Sequence, residues 1–287
     1  MLWRKKSGSV ICPSCGNLVG VHDKQCYTCG RRNPSLWGFS PLLRGLAAGR
    51  GFADVITIAC VVLYLAMLAA DPMGIRMSGL FSMLSPSSRS LFLFGASGAI
   101  PVFELGRWWT VLSAGWLHGG LLHILFNLMW VRQLVPATES LYGSGRMIII
   151  YTAASAAGFL ASAFAGEYLR FLPFFLRGAS FTIGASAPVF GLLGALVYSS
   201  RRGVSSALGQ QALGYALTLF IFGFLMPGVD NWAHLGGFAG GYATARWLNP
   251  LLAERGDHLL MGLACLALNL IAIILSIWLG WSMLQAS

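Results

Sequence analysis

The sequence predicts an all-α polytopic membrane protein with seven transmembrane helices, six in a core and one added at the C-terminal end. Of its 287 residues, 56% are hydrophobic and only 10% are charged, whereas soluble domains carry about 25% charged residues. The mean hydropathy is +0.71, and apolar stretches approaching the roughly 20 residues of a spanning helix recur along the chain. The net charge of +10 arises from basic residues at the ends of apolar segments, which favours topology signals over a nucleic-acid partner.

Residues 1–35 are polar and basic, and they contain two cysteine pairs, CPSCG and CYTCG, separated by ten residues. Four thiolates at this spacing can close a tetrahedral zinc shell, and the glycine after each pair suits a tight turn. The segment resembles a zinc-ribbon module with one structural zinc, and its apolar content is too low for folding without the metal. Redox or disulfide use is the alternative, and His22 is a further candidate ligand. The ligands expected are Cys12, Cys15, Cys26 and Cys29.

After a linker at 36–51, the apolar stretches predict the seven spans. The connection 71–118 contains Leu91-Phe92-Leu93-Phe94, which is too short to cross and is expected at the interface or against the bundle. We expect Trp108, Trp109 and Trp116 at the membrane interface, where amphipathic rings collect. The fourth span is short and needs shielding by its neighbours. The predicted spans are about 52–70, 119–136, 146–166, 186–199, 209–226, 232–248 and 259–284.

The distribution of basic residues predicts a cytoplasmic N-terminus. No cleavable signal peptide is expected, and the compact architecture favours the inner membrane of a prokaryotic cell. With alternating spans, Ser186 and His234 both open helices that run from the external to the cytoplasmic face, so they lie at similar depth. The Lys and Arg residues before the first span are Arg4, Lys5, Lys6, Lys24, Arg31, Arg32, Arg44 and Arg50.

Ser186 lies in GASAPVFG, residues 184–191, and His234 lies in NWAHLGGFAGG, residues 231–241. A serine hydroxyl becomes a nucleophile when a base takes its proton, and histidine is the usual base. Gly237 and Gly241 share a helix face with His234, at i+3 and i+7. Small residues let helix backbones approach closely, so we predict that this crossing brings the serine and the histidine within about 3 Å.

A serine acyl-transfer site also needs donors for the oxyanion. The second span contains LHGGLLHILFN, in which His123 and Asn127 stack on one helix face, and the backbone N–H of Ser186 is a further donor. No Asp or Glu lies mid-membrane in any predicted span and no HExxH motif occurs, which argues against an aspartyl or zinc protease. Taken alone, each polar residue has a packing explanation. We assign only packing to Cys60 and Cys265, an interfacial position to His258 and interhelical hydrogen bonding to Asn269.

Together these motifs resemble the rhomboid intramembrane serine proteases. The resemblance implies a six-helix core at 52–250, with Ser186 as nucleophile and His234 as general base. It places Asn127, His123 and the Ser186 amide around the oxyanion, requires no catalytic cofactor, and implies as substrates the transmembrane segments of membrane proteins, cut near the external face. The motif residues are Gly184 and Ser186; His234, Gly237 and Gly241; and His118, His123 and Asn127 in H-x4-H-x3-N.

Two features depart from the family pattern. The family often has Trp-Arg in its first loop, whereas Thr110 follows Trp109 here and Arg107 lies nearby. Ser186 is often followed by glycine, whereas Ala-Pro follows here, and proline in a first helical turn costs little. Residues 251–287 are expected to add the seventh helix.

Two alternative functions stay open from the sequence. The first is an inactive rhomboid-like protein that binds membrane segments for trafficking or quality control; such relatives lack the serine or the histidine. The second is a transporter or channel, which would predict inverted repeats or charged residues inside the spans. The lipid bilayer is an expected partner, and the cysteine module leaves room for a protein partner.

Overall fold

The computed structural model describes residues 4–41, 51–77, 79, 82–173, 176–226 and 228–286. Most of the predicted linker, with Arg44 and Arg50, lies outside the described residues. The cysteine module contains a small antiparallel hairpin, with β1 at Ser9–Ile11 and β2 at Leu18–Gly20. Its core consists of three valines and two of the cysteines. Segments this short usually rely on disulfides, metal ions or oligomerisation for their stability.

Helix α1 spans Phe52–Ala70, as the sequence predicts. Its buried face contains Ile56, Cys60 and Tyr64, spaced one helical turn apart. The packing role expected of Cys60 is therefore confirmed. The helix ends at Asp71, whose side chain accepts a hydrogen bond from the Gly74 N–H and caps a following 3-10 turn at Pro72–Gly74.

The described part of the long connection between α1 and the next long helix contains short helices and turns. Helix α2, Ser88–Phe94, begins with a cap in which Ser87 accepts from the Ser90 N–H, and it ends at Gly95 with a φ of 101°. It packs against the C-terminal helix, so the prediction that this apolar run lies against the bundle is confirmed. A π-helical turn at Ile100–Glu104, helix α3 at Thr110–Ser113 and a 3-10 turn at Ala114–Trp116 follow.

The remaining helices form the bundle. The predicted fourth span, α6, packs against the two helices before it and the two after it. The final helix is longer than predicted and packs along α2, α3 and α5. The helices are α4 at Leu121–Tyr142, α5 at Ser144–Tyr168, α6 at Ser186–Arg201, α7 at Ser206–Leu225, α8 at Asn231–Trp247 and α9 at Gly256–Ala286.

Among the described residues, α1, α5, α7 and α9 are long and apolar enough to cross a membrane, and α4 joins them if it is counted with the bent segment before it. Helices α6 and α8 have 16 and 17 residues and are too short by this measure. Twelve of the 16 residues of α6 are buried, because neighbouring helices surround it. Protein therefore provides the shielding that the sequence indicated this span would need.

At one end of the bundle, carboxylates accept hydrogen bonds from backbone N–H groups of neighbouring helices. Glu139, near the end of α4, accepts from the N–H of Phe52 at the start of α1. Glu254, just before α9, accepts from the N–H of Arg146 in α5. The Arg146 guanidinium also donates to the carbonyls of Asn249 and Leu252, at 2.6 and 2.8 Å. The starts of α1, α5 and α9 therefore lie at the same end, as the predicted alternation of the spans requires.

Candidate active site

The first residue of α6 and the first turn of α8 meet at a serine and a histidine. The Oγ of Ser186 lies 3.0 Å from Nε2 of His234. The histidine is 6% exposed, and the serine is half-buried. When the Oγ–H donates to Nε2, the proton of the neutral imidazole lies on Nδ1. That Nδ1 is buried and has no hydrogen-bond partner in the described part of the chain, so the arrangement is a pair without a third member.

The pair meets because glycine lets two helix backbones come together. A Cβ added at Gly237 would lie 2.1 Å from the carbonyl oxygen of Ala187, and one at Gly241 would lie 2.1 Å from that of Gly191. Carbon and oxygen cannot approach so closely, so the crossing of α6 and α8 at this distance excludes any side chain at Gly237 or Gly241. The sequence-based prediction of a close glycine crossing is confirmed.

The ring of Phe190 packs face to face against the histidine. It stacks on the His234 ring, with the centroids 4.2 Å apart and the planes 11° from parallel. Phe190 lies four residues after Ser186, on the same face of α6. Sequence reasoning missed this residue because an aromatic side chain in an apolar helix usually belongs to the core. The i+4 spacing from the serine is the signal that indicates it.

His123 lies beside the serine at the start of α4. The N–H of Gly119 donates to its Nδ1 at 3.2 Å, so the neutral ring carries its proton on Nε2. A Cβ added at Gly184 would lie 2.8 Å from that Nε2 and 3.7 Å from the Ser186 Oγ. Gly184, with a φ of 127°, therefore leaves a gap between the serine oxygen and an N–H donor.

Asn127 and His118 complete the polar surroundings of His123. The Nδ2 of Asn127 donates to the His123 carbonyl oxygen at 2.8 Å, and this amide is buried. His118 precedes α4 and is fully buried, and its ring meets the His123 ring edge-on at 5.2 Å between centroids. Neither ring nitrogen of His118 has a hydrogen-bond partner among the described residues. The sequence-predicted residues thus lie together, with His118 behind His123.

The carboxylate nearest to His234 in the sequence caps a helix. Asp230 accepts from the N–H of Ala233 at 3.1 Å, which caps α8. Its other oxygen accepts from the Ser162 hydroxyl at 2.5 Å. Asp230 therefore caps α8 and does not contact His234 through its side chain.

Comparison with known proteins gives the family. The model of the Rhomboid domain matches residues 105–250, just over half of the chain. The chain belongs to the rhomboid family. The match contains α3 to α8 and leaves α1, α2 and α9 outside it.

Individual relatives agree with this membership. The chain is 32% identical over 188 residues to the rhomboid protease GluP of Bacillus subtilis (strain 168), which covers 64% of this chain and 34% of the relative. It is 33% identical over 166 residues to RHOMBOID-like protein 4 of Arabidopsis thaliana, covering 56% and 39%. Inactive RHOMBOID-like protein 8 of the same plant is 31% identical over 160 residues, covering 54% and 42%. The chain thus spans about a third to two fifths of the length of these relatives.

In this rhomboid chain, α9 is bonded to the long connection through buried polar side chains. The indole of Trp116 donates to the Asn269 side chain at 2.9 Å, and that of Trp109 donates to the Ser276 hydroxyl at 3.1 Å. The fully buried Arg107 guanidinium donates to the Ser276 carbonyl at 2.9 Å. The prediction that Trp116 lies at the membrane interface is wrong, because its ring is buried inside the bundle and its indole N–H donates to Asn269 of α9. The expected interhelical role of Asn269 is confirmed.

The four cysteines of the N-terminal module lie together. Their sulfur atoms are all within 4.8 Å of one another, with Cys12 3.8 Å from Cys29 and Cys15 3.6 Å from Cys26. A tetrahedral zinc ion with Zn–S bonds near 2.3 Å places its sulfurs about 3.8 Å apart, so the donor set fits this ion. Backbone N–H groups of Cys29 and Thr28 lower the pKa of the Cys26 thiol to about 6, whereas burial and the neighbouring cysteine sulfurs raise the pKa of the Cys15 thiol to about 12.

Proposed function

We propose that this chain is an intramembrane serine endopeptidase that cleaves transmembrane segments of membrane proteins near the external face. The observation that carries the proposal is the 3.0 Å contact between Ser186 Oγ and His234 Nε2. A serine in hydrogen-bond contact with a histidine is the arrangement that activates the hydroxyl. The family membership and the relative named rhomboid protease GluP support this assignment.

The chemistry follows from the positions of these two side chains. As Ser186 Oγ bonds to the carbonyl carbon of the scissile peptide, His234 Nε2 takes the hydroxyl proton. The imidazolium then gives this proton to the leaving amine, and the C–N bond breaks to leave an acyl-enzyme. Water attacks the ester with the same histidine as base, which releases the acid and restores the serine. The stack on Phe190 keeps Nε2 facing Oγ through both steps.

The oxyanion of each tetrahedral intermediate needs donors that are already in place. The N–H of Ser186 is at the first position of α6, where a helix leaves its N–H groups without helical partners and carries partial positive charge. His123 Nε2–H faces the same gap beside Gly184. We assign the oxyanion to these two donors together with the Nδ2–H group of Asn127 that does not bond the His123 carbonyl.

The proposed setting is the inner membrane of a cell, with the N-terminus in the cytoplasm and seven helices through the lipid bilayer. The proposed divisions are a zinc-ribbon module at 1–35, a linker at 36–51, the protease core at 52–250 and an added helix at 251–287. The zinc is structural, held by the four cysteine thiolates, and the peptidase reaction does not use it. Sulfur–sulfur distances close to those of a tetrahedral zinc shell support the module's assignment.

A second candidate function is that of a rhomboid-like protein without peptidase activity that binds membrane segments. One observation favours it, namely the similarity to the relative named Inactive RHOMBOID-like protein 8. The test is cleavage of a transmembrane substrate reconstituted with the protein in lipid vesicles, comparing the wild type with Ser186→Ala and His234→Ala. Cleavage by the wild type alone supports the peptidase. Equal cleavage by Ser186→Ala would refute the role of Ser186, and substrate binding without cleavage by any form would favour the second function.

A further inference from the structure

A cavity of about 620 Å³ opens on the cysteine module, and none of the four cysteines lines it. Five cationic side chains line it, against one carboxylate, that of Asp23. The Asp23 carboxylate is engaged, because it accepts from the Gly20 N–H at 2.6 Å. His22 also lines this cavity, which places it away from the metal cluster. The cations are Arg4, Lys5, Lys6, Lys24 and Arg32.

Most of this positive charge is uncompensated. Lys6, Lys24 and Arg32 make no ion pair and no side-chain hydrogen bond with the described residues. Arg4 is held in place, since its Nε donates to the Trp37 carbonyl at 2.9 Å and its guanidinium lies over the Phe39 ring. The cavity therefore offers to an anion the guanidinium of Arg4, which is held in place, and three further cations that have no side-chain partner among the described residues.

The module sits at the end of a membrane-spanning helix. The Gly256 N–H at the start of α9 donates to the Pro13 carbonyl, inside the first cysteine pair. Arg31, just after the second pair, forms an ion pair with Asp257. Helix α9 is long and apolar enough to cross a bilayer from Gly256 onward. These contacts join the module to the end of α9 at which this apolar helix begins.

Exposed aromatic side chains lie beside the cavity, and they are of the kind found at a membrane surface. Trp37 lines the cavity and is 70% exposed, and the neighbouring Phe39 is 44% exposed. Tryptophan is enriched at the boundary between membrane and water, where its ring contacts lipid and its polar edge stays wet.

We propose that this cavity binds the phosphate headgroup of an anionic phospholipid, of the phosphatidylglycerol class, in the leaflet that faces the module. Arginine and lysine bind phosphate through charge-assisted hydrogen bonds, and the guanidinium fork matches two phosphate oxygens. A choline headgroup would bring its own cation against these side chains. The inference rests on the membrane placement of the proposed function and is independent of peptide cleavage.

The test measures lipid retained by the full-length protein. The protein is purified in mild detergent from vesicles containing equal parts of phosphatidylglycerol and phosphatidylcholine, and bound lipid is counted by native mass spectrometry. The cavity variant is Lys24→Glu with Arg32→Glu. The matched control is Arg202→Glu with Arg246→Glu, which changes the charge equally at two exposed cations of the same end that lie outside the cavity.

Wild type should retain more phosphatidylglycerol than phosphatidylcholine. The amount of phosphatidylglycerol retained by the cavity variant should be about tenfold lower than that retained by wild type, and the amount retained by the control should be within about twofold of the wild-type amount. Equal loss in both variants, or no loss in either, would overturn the proposal. Displacement of the lipid by inorganic phosphate at millimolar concentration would identify a site for free phosphate instead. The metal content of each variant reports whether its module is folded. If the cavity variant loses its metal, Lys24→Gln with Arg32→Gln is used in its place. Retention is also measured on Ser186→Ala, so failure of the peptidase and failure of the lipid site are read separately.

Discussion

The ring of Phe190 lies parallel to that of His234 with their centroids 4.2 Å apart, and Phe190 follows Ser186 by one helical turn. The proposed nucleophile, Ser186, and the residue whose ring stacks on its proposed base thus project from one face of α6. This relationship makes the geometry of the pair depend on a side chain that touches no substrate in the proposed reaction.

Replacing Phe190 with leucine should preserve the apolar contact and remove the stack. We expect kcat to fall by about 10- to 100-fold because the imidazole loses its orientation, while KM changes little. Phe190→Tyr keeps the ring and serves as the control, with activity close to wild type. Steady-state kinetics on a vesicle-reconstituted substrate measure both values. Equal kcat for the leucine and tyrosine variants would show that stacking does not orient the base.

His123 and His118 have neighbouring rings but different expected roles. His123→Ala should lower kcat by about 10²- to 10³-fold, the loss that follows removal of one oxyanion donor, with KM nearly unchanged. His118→Ala, which removes a buried ring behind His123, should affect thermal stability more than kcat. Kinetics and thermal unfolding are measured for both variants. A larger loss of kcat in His118→Ala than in His123→Ala would reverse this assignment.

The glycine crossing predicts a strong steric effect. A Cβ at Gly237 would lie 2.1 Å from the Ala187 carbonyl oxygen, so Gly237→Ala should push α8 from α6. We expect a loss of roughly 1–3 kcal/mol in the free energy of unfolding and nearly complete loss of cleavage, because the Ser186–His234 contact opens. Thermal unfolding in detergent and the cleavage assay measure these effects.

Gly214 on α7 is the matched control, since a Cβ there meets nothing within 4 Å. Gly214→Ala should leave cleavage unchanged and keep or slightly raise stability. If Gly237→Ala and Gly214→Ala had the same cleavage activity and the same thermal stability, the close approach of α6 and α8 would not be the cause of the Ser186–His234 contact.

The cysteine module should contain about one zinc ion per chain. Cys12→Ser with Cys29→Ser removes two of the four sulfurs and should abolish the metal and unfold the hairpin, because the module's core is too small to hold it alone. Elemental analysis and limited proteolysis of residues 4–41 measure these losses. Cys60→Ser, at a buried cysteine of α1 outside the cluster, is the control and should keep the zinc. A full-length protein that contains no zinc and still has a protease-resistant module would contradict the metal assignment.

Much of the fold follows from the sequence, because helices in a membrane must be apolar and must satisfy their own backbone. The bounds of α1 come directly from its apolar stretch. The contact between Ser186 and His234 was also predictable, since glycines at i+3 and i+7 from the histidine indicate a close crossing. The bounds of α1 depend on local pattern alone, whereas the serine–histidine contact also needed the alternation of the spans and the resemblance to a known family.

Other features depend on pairings that the sequence does not show. Trp116 suited the interface by its amphipathic ring, yet its N–H bonds to Asn269, 153 residues further along the chain. Nothing local links these two residues, so the correct position required the structure. The stack of Phe190 on His234 was missed for a different reason, because an aromatic residue in an apolar helix is equally suited to the core.

The most direct test of the central claim is labelling of the detergent-purified protein with a fluorophosphonate probe. Wild type, Ser186→Ala and His234→Ala are compared after thermal unfolding has shown that all three are folded. We predict that wild type alone is labelled, since the probe reports a serine that a base activates. Labelling of Ser186→Ala at the wild-type level, or no labelling of any folded form, would contradict activation of Ser186 by His234.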